Sequence, residues 1–337
     1  MRRLLHCCVA SLLAYGLAFG FVLYRPLTLG FLQQQIDVKL AHAASLASPK
    51  LVILAGSNGP YSHRCQVIEA MLAMPCVNGG VAVGIGLDYL FARWRTQLHA
   101  GDVAYLPMEE AQYTRSRSAT ELGPDAEIMF RHDWQTLATL PLRRWLAALF
   151  SFDLRTALMS PIEALLLAVH FHDPRAEMTG TTNAWGDHVG HTTALAETSR
   201  NVVARATPNH ASAQEIDAGY GAELIADFTR WAIAHDVQVI GGPPTEPVDA
   251  PMPDATEAAI GALYRANGAA FLELPNHARY PRVAFFDTAE HLNETWQIRH
   301  SVLVAEAPLG MFLVRFCVSF SQIDSFNNNP RNFRKYF

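Results

Sequence analysis

The sequence predicts a three-layer α/β domain built on a parallel sheet, carried behind an N-terminal transmembrane helix. Short apolar runs such as Leu51-Val52-Ile53-Leu54-Ala55 alternate with helical patterns. Those runs are continuously hydrophobic, as strands covered on both faces are. Residues 4–24 form an almost unbroken apolar segment flanked by Arg2, Arg3 and Arg25.

That segment rises roughly 30 Å as a helix, the thickness of a bilayer's hydrocarbon core. A cleaved signal peptide is the competing reading, but the run is longer than an ordinary signal core and Ala41-His42-Ala43 lies far downstream. Positive charge ahead of the span places the N-terminus inside and the rest outside the cytoplasmic membrane, on the periplasmic side. The expected organisation is an anchor over 1–25, a stem over 26–49, an α/β domain over 50–306 with a helical insertion at 114–209, and a tail over 307–337 of different, Phe/Asn/Ser-rich composition.

In order, the strand candidates are 51–55, 76–77, 102–106, 237–240 and 270–272, separated by helical patterns at 66–73, 222–234 and 256–265. Between 114 and 209 the alternation gives way to apolar helical stretches, 137–150 and 162–169, too short to span a bilayer. With 337 residues, half of them hydrophobic, the chain can bury one large core or two small ones. A net charge of -5 excludes the basic footprint of a nucleic-acid binder. Outside the anchor stand Cys65, Cys76 and Cys317; a Cys65–Cys76 bridge suits an oxidising compartment, although buried thiols are the reading favoured by so sparse a set.

A serine becomes a nucleophile when a base takes its proton and a third group orients that base. Ser57 follows the first strand in a turn bordered by Gly56 and Gly59, at the sheet edge where ligands of open α/β folds bind. Asp287 and His291, four residues apart in a loop entering a helix, supply the orienter and the base.

These blocks resemble the SGNH (GDSL-like) hydrolase superfamily: Gly56-Ser57-Asn58, the glycine block Asn78-Gly79-Gly80, and Asp287 to Asn293. The resemblance is closest to the membrane-anchored branch that includes the D-alanyl transfer protein and exopolysaccharide acetylation proteins. It implies a flavodoxin-like sheet, a Ser57–His291–Asp287 triad, an oxyanion hole from the N–H groups of Ser57 and Gly80, no cofactor, and an acylated carbohydrate or acyl donor as substrate, with a membrane acyltransferase as a further partner. The first block lacks the family's aspartate, Pro107-Met108-Glu109-Glu110 stands where its third-block asparagine belongs, and Trp296 follows the last block in place of a glycine. Asn58, Asn78 and Asn183 are the candidate substitutes for that amide. Gly79, Glu109 and Asp187 are candidate pocket residues.

Other patterns carry less. His170-x-His172-Asp173 and Asp187-His188-x-x-His191 do not have zinc-site spacing and read as loop histidines rather than a metal centre. Glu109 and Glu110 at a strand end would face opposite sides, against use as a glycosidase pair. The run Gly79 to Gly86 lacks the lysine of a nucleotide loop. Ala55 to Gly59 loosely approximates the elbow of an α/β-hydrolase, a fold that places several strands before its serine. A different class, a non-catalytic subunit that binds glycan or a membrane partner, is favoured by the absent asparagine.

Overall fold

The computed structural model describes residues 2–22, 26–151, 181–208 and 210–307, with 159, 161–163, 165, 166, 168 and 169 between them. Five short strands, β1 (Leu51–Ile53), β2 (Cys76–Asn78), β3 (Val103–Leu106), β4 (Gln238–Gly241) and β6 (Ala270–Phe271), form one parallel sheet in the order β2-β1-β3-β4-β6. Leu51 pairs with Cys76 on one side and with Val103 on the other. The chain therefore leaves β1 in one direction and later returns to its other side, which opens a crevice at the carboxyl ends of β1 and β3. A two-stranded ribbon, β5 (Glu246–Pro247) with β7 (Arg279–Tyr280), lies outside this sheet.

Alternation along the strands divides the interior in two. Val52, Leu54, Val77, Ala104, Leu106 and Val239 join a core filled by the helices 87–95, 220–234 and 254–266. Leu51, Ile53, Cys76, Val103, Tyr105 and Ile240 join a second core closed by the helices 65–72 and 294–306. Both faces of the sheet are buried, which is why its strands carry no polar alternation.

The segment expected as a stem is part of the first core. Helix Pro26–Ser45 buries Ile36, Leu40 and Ala43 there, a helical spacing that forms one apolar stripe, and Lys39 beside them is only 1% exposed. The insertion is likewise packed into the domain, through Ile128, Met129 and Leu137. Residues 2–22 are helical, but among the described residues no helix is long and apolar enough to cross a membrane, so the span expected at 4–24 is not seen as one; residues 23–25 lie outside the described ones. The tail beyond 307, with Cys317, and the His170 to Asp173 cluster also lie outside them.

Cys65 and Cys76 form a disulfide, against the expectation of thiols. The two cysteines start a helix and the neighbouring strand, and the turn between them, with Ala73 in the left-handed region, folds them face to face.

Candidate active site

The chain after β1 turns at Gly56, where any Cβ would come within 2.5 Å of the Glu109 carboxyl, and Ser57 then caps the short helix Asn58–Ser62. A serine in this position ordinarily spends its hydroxyl on the helix N-terminus. Ser57 makes no such bond. Its Oγ lies 2.9 Å from Nε2 of His291, and Nδ1 of His291 lies 2.7 Å from Oδ1 of Asp287. With the ring proton on Nδ1 facing the carboxylate, Nε2 is the acceptor for the serine O–H.

The loop that carries Asp287 and His291 is closed on itself. Phe285 bridges Leu292, and the Phe286 N–H donates to the His291 carbonyl at 2.8 Å. Thr288 Oγ1 accepts the N–H groups of Glu290 and His291, and Asn293 caps the following helix by accepting the Trp296 N–H. From below, Ser62 and Thr245 both donate to the Glu290 carbonyl. Burial acts to raise the Asp287 carboxyl, but the hydrogen bond and charge of His291 outweigh it and hold the group below its usual value. A carboxylate that stays ionised is what orients an imidazole.

Tyr61 lies flat on His291, with ring centroids 4.1 Å apart and planes 7° from parallel. It stands four residues after Ser57 on one helical turn, so the element that presents the Ser57 hydroxyl also presents the plate under the His291 ring. His188 and His191 pack around the same phenol ring at 4.1 and 5.3 Å. Burial lowers His188 to about 4 and His191 to about 3, so both are neutral near pH 7.

No protein-family model, curated protein or solved structure matches the chain.

Gly80 lies against the serine turn: a Cβ there would meet the Gly56 carbonyl at 2.7 Å and the Pro60 ring at 2.8 Å. The Gly80 N–H reaches Asn78 Oδ1 at 3.3 Å, and the Ser57 N–H donates to no acceptor among the described residues. Lys39, from the helix 26–45, donates its Nζ to the Gly80 carbonyl. Burial lowers this lysine from 10.5 to about 7, a shift that the charge of Asp187 partly offsets.

The amides considered as oxyanion donors are otherwise engaged. Asn58 is fully buried and donates Nδ2 to the Pro107 carbonyl. Asn78 donates to Gly59 O and to Asp187 Oδ1, and Asn183 to Asp187 Oδ2. Asp187 also accepts the Cys65 N–H at 2.9 Å, so Asn78, Asn183 and Asp187 are tied into one hydrogen-bonded frame in which Asn78 and Asp187 are buried. Gly186, with φ of +87°, lets this loop press on the Asn78 carbonyl, which a Cβ would approach to 2.4 Å. Gly79 is a packing residue against Trp94. Trp296 packs edge-on to Tyr280 in a small separate core and does not narrow the site.

Glu109 does line a cavity of about 90 Å³ beside the His291 loop, with Thr245, Glu246 and Glu290. Its Oε1 accepts the Asn58 N–H at 3.1 Å, and burial raises its pKa despite that bond. Glu110 was expected to point away from it but lines the same cavity, because the two residues begin a helix and do not end a strand. Glu110, His210 and Glu246 bring one ligand atom each within 4.8 Å of one another. The two carboxylates already have partners: His210 Nδ1 lies 2.7 Å from Glu110, and Arg279 donates to Glu246 at 2.9 Å. Tyr61, Lys39, Ser62 and Thr245 were not singled out in the sequence; only Tyr61 carried a local signal, its helical spacing from Ser57.

Proposed function

We propose that the chain is an SGNH-type serine esterase or O-acyltransferase, with a flavodoxin-like sheet, held at the cytoplasmic membrane by its N-terminal helix and acting outside it on acyl esters of cell-envelope or exported polysaccharide. The observation that carries this reading is the continuous Ser57–His291–Asp287 relay, with contacts of 2.9 and 2.7 Å between side chains 234 and 4 residues apart. The strand order and the carboxyl-edge position of Ser57 support the fold assignment, and the Cys65–Cys76 disulfide supports an oxidising compartment.

In this reading Ser57 Oγ attacks the ester carbonyl as His291 Nε2 takes its proton. The Ser57 N–H faces the developing oxyanion, a donor worth roughly 3 kcal/mol in a dry site. His291 then returns the proton to the departing alcohol. Water or a carbohydrate hydroxyl next attacks the acyl carbon, giving its own proton to His291 Nε2, which passes it to the departing Ser57 Oγ and so restores both groups. A membrane acyltransferase is the partner that would supply acyl groups.

A second reading, a non-catalytic glycan- or partner-binding subunit, is favoured by one observation: the carboxyl of Glu109 accepts a hydrogen bond from the serine turn, where an oxyanion site calls for a further donor. Full-length protein in detergent treated with a fluorophosphonate probe separates the two. Labelling that vanishes in Ser57→Ala and His291→Ala supports the enzyme. A folded wild-type protein that takes no label, yet binds polysaccharide, refutes it in favour of the subunit.

A further inference from the structure

We propose that the outer face of residues 134–150 docks on the surface of a lipid bilayer beside the N-terminal helix, so that the catalytic domain lies against the membrane and not out on a tether. The proposal rests on the membrane association of the preceding reading but not on its triad.

Leu142, Leu146 and Phe150 follow one another at a spacing of four and are 72%, 52% and 59% exposed. This is one face of the helix Leu142–Ala148. The opposite face is fixed: Arg144 is buried, pairs with Asp88 and Asp125, and donates to the Glu121 carbonyl. Trp145 donates its indole N–H to the Leu137 carbonyl. A buried guanidinium clamped by two carboxylates sets the helix's rotation, so the apolar face is turned outward by the fold and not by fraying. Trp134, exposed and packed edge-on to Trp145 at 4.3 Å, sits beside it, as indoles do at membrane–water boundaries. Farther along, Met159, Ile162, Leu165 and Val169 are exposed at helical spacings while Glu163 is buried.

Continuity with the N-terminal helix identifies the occupant. The Tyr15 ring lies 5.3 Å from Phe150, and its hydroxyl donates to the Leu149 carbonyl. Leu4, Leu5, Leu12, Leu13 and Leu17 of that helix are all exposed. At 3.6 residues per turn these side chains sweep more than half of its circumference. A protein groove covers one stripe of a helix, whereas hydrocarbon covers every side. Phe150 touches this helix, so the face that carries it meets the same solvent. The next helix starts at Pro26 and is buried in the domain from Ile36 onward, which leaves no long linker between apolar helix and core. Exposed apolar residues elsewhere, such as Ile233 and Val283, are scattered singly.

The test uses the full chain with Cys7, Cys8 and Cys317 replaced by serine. A fluorophore that reports polarity is attached to Leu12→Cys, Leu146→Cys or Val283→Cys, and each protein is reconstituted in phosphatidylcholine–phosphatidylglycerol vesicles containing nitroxide-labelled lipid. Docking predicts that positions 12 and 146 both lose about half or more of their emission to the nitroxide, while 283 loses little, because an interfacial face sinks several Å into the headgroup region. Loss at 12 without loss at 146 overturns the docking and leaves the membrane helix standing. No loss at either overturns both. A blue shift at 146 that grows with protein concentration but not with nitroxide assigns the face to a second copy and also overturns the proposal.

Discussion

Replacing Lys39 with methionine should stabilise the protein at neutral pH and impair its site. The lysine is 1% exposed and its ammonium is held to about 7 against an ordinary 10.5, chiefly by burial. A depression of that size corresponds to about 5 kcal/mol of folding free energy withheld while the group is charged in both states. Methionine removes that cost but leaves the Gly80 carbonyl without its donor, a loss of about 1–3 kcal/mol. Below the folded value the net effect is a gain of about 3 kcal/mol for the variant. Between about 7 and 10.5 the unfolded lysine binds a proton that the folded one has released. Wild-type stability therefore rises with pH through that window, the advantage of methionine shrinks, and near pH 10 the variant becomes the less stable by about 1–2 kcal/mol. Urea unfolding of both proteins at a series of pH values measures this. A difference that keeps the same sign and size from pH 6 to pH 10 would refute the buried-charge argument. Fluorophosphonate labelling of the same samples should be slower in the variant, since Lys39 holds the glycine block against the Ser57 turn.

Asp287→Asn turns the His291 ring to the wrong tautomer and should cut the labelling rate by about 10³–10⁴ with little change in unfolding midpoint; an equal loss of stability would mark a structural role instead. Tyr61→Leu should slow labelling by about tenfold through loss of the stacked ring that supports a developing imidazolium, and Tyr61→Phe should not, as a rate series on the two variants will tell. Burial raises Glu109, so that carboxyl ionises beside the turn at a higher pH than a free glutamate and wild-type labelling should be held back as it does, a feature Glu109→Gln should lack; superimposable pH profiles would count against it. The double variant Cys65→Ala/Cys76→Ala, which opens a bridge of sequence separation 11, should lose about 3 kcal/mol in urea, and an unchanged midpoint would argue against the chain-entropy origin of its effect.

The strands were legible because they are largely apolar runs bounded by breakers, and the two cores bury β1, β2 and β3 whole. The proximity of Ser57, His291 and Asp287 follows from a related pattern: a serine in a glycine turn and an Asp/His pair four apart are each local signals, and the parallel order sets the carboxyl ends of the early and late strands along one edge. What stayed hidden depends on partners far along the chain. Asp187 is polar and lies in a loop, which locally reads as a pocket residue; its use is fixed by the Cys65 N–H, 122 positions away. Lys39 is one polar residue in a stem of mixed polarity, and nothing local to it signals the hydrogen bond it donates to the Gly80 carbonyl, 41 positions on. Glu110 was misread because a strand end and a helix start look alike over two residues, and only the helix turns both carboxyls to one cavity.

These hidden contacts decide where the functional unit begins. Beneath the serine turn, the glycine block is fixed from two directions outside the sheet: Lys39 holds the Gly80 carbonyl, and the 183–187 loop holds Asn78 through the Trp185 carbonyl and the Asp187 carboxylate. Neither element belongs to the strand–helix alternation that announces the fold. A catalytic serine needs its donors in place before the oxyanion forms, since donors that must reorganise give little stabilisation. On the proposed reading, the helix 26–45 and the insertion loop belong to the site as much as the turn that carries Ser57. The helix that fixes Gly80 begins only four positions beyond Val22, the end of the apolar N-terminal helix. Whatever holds that N-terminal helix thus acts within a few residues of the part that positions the glycine block.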